Sequence, residues 1–132
     1  MNPLRTYVVE DSSIIRDNLT QTLHENAPIE VIGGAEDEAA AAAWLLDPGH
    51  GCDVVIVDIF LKSGSGIGLL RSLQGRAPSM RRVVLSNHAT PEVRAKCAEL
   101  GADKVFDKSN EIDEMLAYFN RLTATEAATS AH

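Results

Sequence analysis

The chain has 132 residues, 45% of them hydrophobic and 23% charged, with a formal net charge of −7 at pH 7. That length suits one domain whose core needs no disulfide or metal staple, and no apolar run nears the ~20 residues that span a bilayer. The acidic balance opposes nonspecific binding to phosphate backbones, which takes clustered Lys and Arg, so neither nucleic acid nor a membrane is an expected direct partner.

Met1-Asn2-Pro3-Leu4-Arg5 has no signal-peptide pattern, and a cytoplasmic location is expected. Cys52 and Cys97 form no CxxC pair, and His24, His50, His88 and His132 are scattered. Two reduced thiols and no zinc site follow.

In chain order, residues 5–9 read as a first strand, ending in Tyr7-Val8-Val9 and the acids Glu10-Asp11. Residues 13–26 read as a helix with Ile15, Leu19 and Leu23 on one face. A second strand over residues 30–34 leads to a helix holding the alanines 39–43 and Trp44-Leu45-Leu46, and Asp47-Pro48-Gly49 ends it. The third strand, residues 53–57, runs into Asp58. Lys62-Ser63-Gly64-Ser65-Gly66 follows; it lacks the glycine fingerprint of a phosphate cradle and sits after the third strand, which argues against nucleotide binding.

Ile67, Leu70 and Leu73 mark a third helix stopped at Gly75, and residues 82–85 a fourth strand ending in Ser86. Thr90-Pro91-Glu92 opens a fourth helix with an N-cap, a proline at the first position and an acid in the first turn. Val93, Cys97 and Leu100 face inward, and Gly101 closes it. The fifth strand is residues 104–106, followed by Asp107 and Lys108; Ile112, Met115, Leu116, Phe119 and Leu122 form the apolar stripe of a fifth helix. The domain is expected to span residues 1–122, with a frayed tail over 123–132.

Alternation of strand and helix predicts a doubly wound α/β fold with a parallel sheet covered on both faces. In such sheets ligands bind beyond the carboxyl ends of the strands. Glu10, Asp11 and Asp58 therefore converge on one crevice, where they repel each other unless a cation joins them; an oxygen-bound divalent ion fits that need. Ser86 and Lys108 add a hydroxyl and a fixed charge at the same edge. Each has a plainer reading alone: Asp11 as the cap of the first helix, Asp58 as a loop-capping acid, Ser86 as a strand-end serine, Lys108 as a solvated lysine.

Glu10-Asp11, Asp58, Gly66, Ser86, Gly101-Ala102 and Lys108, in this order and spacing, resemble the receiver domain of two-component response regulators, from about residue 4 to residue 122. The resemblance implies a (βα)5 flavodoxin-like fold with strand order 2-1-3-4-5. It implies that Asp58 accepts a phosphoryl group from a histidine kinase or histidine phosphotransfer protein, with Mg2+ held by Asp11, Asp58 and the Phe60 carbonyl and by Glu10 through water. Ser86, the Asn87 N–H and Lys108 would contact the phosphoryl oxygens. Output would pass to a protein partner through the face of helix four, strand five and helix five, the chain acting as a single-domain regulator, either monomeric or as a phosphorylation-dependent dimer.

The pattern also departs from the family. Lys62 and Ser109 stand where proline is common, and Ser109 or Asn110 is offered as the cap of helix five. Val105 stands where an aromatic usually switches, and alternation points Phe106 to the opposite face. Phe60 and His88 follow Asp58 and Ser86 by two residues, either shielding the acyl phosphate or serving as plain loop residues. A pseudo-receiver that binds partners without phosphorylation is the alternative function. An aspartate-nucleophile phosphatase lacks its second acid, since Phe60 occupies that position.

Overall fold

The computed structural model describes the backbone of residues 3–130 and the side chains of residues 3–124. Ten elements alternate: β1 (Leu4–Val9), α1 (Ser13–Asn26), β2 (Ile29–Ala35), α2 (Glu38–Leu45), β3 (Val54–Val57), α3 (Gly66–Leu73), β4 (Arg81–Ser86), α4 (Pro91–Glu99), β5 (Lys104–Asp107) and α5 (Ile112–Ser130). The five strands form one sheet in the order β2-β1-β3-β4-β5, and every neighbouring pair is parallel.

Strand alternation sorts the core into two faces. Leu4, Val8, Val54, Ile56, Val83, Leu85 and Phe106 pack with Leu23 of α1 and with Met115, Tyr118 and Phe119 of α5. The opposite residues, Tyr7, Val9, Val55 and Val57, meet Ala41, Leu45, Leu69 and Leu73 of α2 and α3. Val84 joins Leu70 and Cys97 on that same side, with Val105 packed against them. Val105 and Phe106 thus face opposite layers, as alternation requires.

The backbone of α5 runs to Ser130, and Ala131 and His132 of the expected tail lie outside the described residues. Thr123 is buried, and its hydroxyl donates to the Phe119 carbonyl at 3.1 Å, which carries the helix past its last large apolar residue. Two sequence expectations need correction. Neither Ser109 nor Asn110 caps α5: the Glu111 carbonyl accepts the first helical bond, from Met115 N at 3.0 Å, and the Ser109 hydroxyl donates to Asn87 Oδ1 at 3.2 Å. Ile15, expected inward, is 42% exposed.

Arg82 shows a role its place at a strand start did not announce. It is only 8% exposed. Its Nη1 donates to the Met80 carbonyl at 3.0 Å, and its Nη2 donates to the carbonyls of Leu73, at 2.8 Å, and Arg76. The guanidinium thereby satisfies the end of α3 and a turn in which Ala77 takes a left-handed φ of 43°. Arg82→Met keeps the stem and removes every donor. It is expected to cost about 2 kcal/mol, since buried carbonyls lose charge-assisted partners, measured as a lower denaturant midpoint.

Candidate functional site

The carboxyl ends of β1, β3, β4 and β5 share one edge, and backbone bonds fix the residues just beyond them. Glu10 N donates to the Ala35 carbonyl, Asp58 N to the Val9 carbonyl and Lys108 N to the Ser86 carbonyl, each at 3.0 Å. The ladder therefore continues one residue past the strands, and side chains there inherit the rigidity of the sheet.

Lys108 is the centre of the site. Its Nζ donates to Glu10 Oε1 at 2.6 Å and to Asp58 Oδ2 at 2.9 Å. The side chains of Glu10, Asp58 and Lys108 are 4%, 14% and 16% exposed, so these are partly desolvated ion pairs and not surface ones. Glu10 Oε2 also accepts from Ser12 N at 3.1 Å. Burial pushes the Glu10 carboxyl up, but Lys108, Asp11 and the Ser12 N–H outweigh it and hold it below the usual range. Burial works against the Lys108 charge, yet its two acidic partners hold its pKa above normal.

Asp11 is exposed and behaves differently. Hydrogen bonding to Glu10, slight burial, and the charges of Glu10 and Asp58 raise its pKa. The capping reading of Asp11 fails, because Ser12 is the N-cap of α1 and its Oγ accepts from Ile15 N at 3.3 Å. What remains is an exposed carboxylate set against two other acids.

The loop after Asp58 is shaped by close packing. A Cβ on Gly66 would lie 2.2 Å from the Asp58 carbonyl oxygen, so only glycine lets α3 start there. Gly66 N donates to the Ile59 carbonyl at 2.8 Å, and Phe60 bridges Ser65. Glu38, from the start of α2, accepts Ser65 N at 3.0 Å and clamps the loop from outside. Nothing in the local pattern around Glu38 pointed to that contact.

Ser86 is fully buried, and its Oγ accepts from His88 N at 3.0 Å; the hydroxyl proton is the group it has to donate. Asn87 is exposed beside it. The rings of Phe60 and His88 meet edge to face with centroids 4.7 Å apart, joining the two positions singled out after Asp58 and Ser86. Of the seven sequence-derived site residues, Glu10, Asp58 and Lys108 touch directly. Ser86 ends β4, and Asp11, Phe60 and Asn87 sit on the loops immediately around them.

Among the described residues, no group of three or more His, Cys, Asp or Glu side chains is gathered as a metal cage. The donors present are hard oxygens, and Asp11 is pressed by neighbouring negative charge. That suits Mg2+, which takes one or two carboxylates and completes its shell with water and phosphate.

The model of the response regulator receiver domain matches residues 6–120, and the chain belongs to that family. It is similar to the DNA-binding transcriptional activator DevR/DosR of Mycobacterium tuberculosis, 29% identical over 99 residues, covering 75% of this chain and 45% of that protein. It is also similar to protein-glutamate methylesterase/protein-glutamine glutaminase 2 of Koribacter versatilis, 35% identical over 115 residues, covering 83% and 30%. The chain thus spans less than half the length of these relatives. Among solved structures, the CheX–CheY–BeF3–Mg complex of Borrelia burgdorferi matches with a TM-score of 0.77 at 20% identity, covering 89% of this chain and 90% of that one, which shows the shared fold. The protein is a receiver domain of the two-component response regulator type. Among the described residues, no helix is long and apolar enough to cross a membrane.

Proposed function

We propose that this domain accepts a phosphoryl group on Asp58 from a phosphohistidine of a kinase or phosphotransfer protein, in the cytoplasm, and signals by phosphorylation-dependent protein contacts. The observation that carries the reading is the Lys108 ammonium held between Asp58 and Glu10 at the carboxyl edge of the sheet. An Asp58 oxygen attacks phosphorus in line, the bond from phosphorus to the donor imidazole breaks, and an acyl phosphate forms. Lys108, already bonded to Asp58, neutralises a phosphoryl oxygen as a point charge. Ser86 donates its hydroxyl proton to another oxygen, and the Asn87 N–H serves the same group.

Asp11, Asp58 and the Phe60 carbonyl would hold Mg2+, and Glu10, whose oxygens are engaged by Lys108 and Ser12 N, would act through water. When bound, the ion supplies charge neutralisation at the transferring group, where positioning and electrostatics carry most of the rate. Asp11→Asn is therefore expected to weaken Mg2+ binding more than Glu10→Gln does, by a fluorescence or calorimetric titration. Equal affinities in both variants would remove Asp11 from the ligand set.

Output is assigned to the face of α4, β5 and α5, which receives the displacement of the loop after Ser86. A protein partner or a second copy would dock there, the chain being otherwise a monomer. The test is intact-mass measurement after incubation with a small phosphodonor, with and without Mg2+. A single Mg2+-dependent phosphoryl adduct is the expected result. No adduct would leave a pseudo-receiver, and rapid turnover without an adduct would leave a phosphatase.

A further inference from the structure

Arg94, at the end of the first turn of α4, spreads its guanidinium over three segments. Its Nε donates to the Ala89 carbonyl at 3.0 Å, in the loop three residues after Ser86. Its Nη1 donates to the Val105 carbonyl at 2.9 Å, on β5 three residues before Lys108. Its Nη2 donates to Glu111 Oε1 at 2.5 Å, just ahead of α5. The same Glu111 oxygen accepts Asp107 N at 2.8 Å, one residue before Lys108. Their side chains are 39% and 29% exposed, and an isolated pair that exposed contributes little. The difference here is that the arginine also holds two carbonyls and the glutamate an amide, in the loop after Ser86 and on the strand β5 that leads to Lys108. The planar fork reaches these divergent acceptors from three separate nitrogens, whereas a lysine carries all its donors on one.

We propose that Arg94, oriented by Glu111, is a positioning residue that ties the loop after Ser86 to the strand end carrying Lys108, so that displacement of one is transmitted to the other. This rests on the phosphoacceptor reading and adds regulation of that site. The geometry has a direct consequence. Movement of Ala89 must stretch the Nε bond or move the guanidinium, and the guanidinium cannot move without disturbing Val105 and Glu111. Glu111 in turn is bonded to the amide next to Lys108. The Ser109 hydroxyl on Asn87 is a second, lighter tie between the same two loops, at 3.2 Å.

The experiment is amide exchange on the whole chain with Mg2+, with and without the phosphoryl mimic beryllofluoride, for wild type, Arg94→Met, Arg94→Lys and Glu111→Gln. In wild type the mimic changes exchange in residues 86–90 and 105–111 together. In Arg94→Met the change at 86–90 remains and that at 105–111 falls at least about fivefold, the lower end of ordinary coupling between sites. Arg94→Lys behaves like Arg94→Met, because the fork and not the charge makes the tie. Glu111→Gln shows the same loss in smaller degree, and carries the test if Arg94→Met does not fold. Undiminished response at 105–111 in Arg94→Met, or full coupling in Arg94→Lys, overturns the proposal alone. Absence of both a mimic response and a phosphoryl adduct in wild type overturns the phosphoacceptor reading and this proposal together.

Discussion

Asp58→Asn takes up no phosphoryl label from a small phosphodonor at saturating Mg2+, while the wild type gains one phosphoryl group. The substitution is close to isosteric. The amide oxygen still accepts from Lys108, and the backbone bond from Asp58 N to the Val9 carbonyl is untouched. The anionic nucleophile is lost, together with one carboxylate of the proposed Mg2+ set, which saturating Mg2+ offsets, and a neutral amide does not displace a phosphoryl leaving group. The variant also relieves the mutual repulsion of Glu10, Asp11 and Asp58 while leaving Lys108 paired with Glu10, so it should fold at least as well as wild type in the absence of metal. Loss of label with retained stability separates chemistry from collapse. Equal labelling of the variant would place the nucleophile elsewhere, and the exposed Asp11 would become the first alternative.

The parts of this site that could be read without coordinates are those that follow from strand ends. Val54 to Val57 is a buried run, so Asp58 had to emerge at the sheet edge, and Ser86 and Lys108 followed by the same argument. Lys108, at the end of the fifth strand, meets both Asp58 and Glu10. The alternation of strand and helix was equally legible, because most helices carried a stripe, a cap or a stop signal, whereas the strand order came from the family resemblance and matches the sheet observed. What stayed hidden were side chains acting across loops. Arg82 reaches back to α3, Glu38 reaches across to the α3 start, and Arg94 spans to Val105 and Glu111. Their partners are mostly backbone carbonyls and amides, which have no sequence signature. The back-bond from the buried Thr123 hydroxyl to the Phe119 carbonyl belongs to the same class of contact.

Lys108→Met is expected to destabilise the metal-free protein by about 3 kcal/mol at neutral pH, the size reported for removing one partner of a buried ion pair. Glu10 is only 3% exposed, and without the ammonium it keeps its burial penalty and loses its strongest opposing partner. The pH dependence gives the sharper test. In wild type the Glu10 pKa lies below its ordinary 4.5, so its contribution is present above that value and is lost as pH falls through the folded pKa. The Lys108 pKa lies above its ordinary 10.5, so its contribution is present below that value and fades only as pH rises through the folded pKa. In Lys108→Met, burial raises the Glu10 pKa, and the buried acid becomes neutral as pH falls. The variant therefore gains stability, relative to wild type, on the acid side of neutrality. Denaturant midpoints measured from pH 7 down to about pH 4 should converge. Parallel curves would mean that Glu10 does not depend on Lys108 for its charge, and the ion-pair centre of the site would fall with that result.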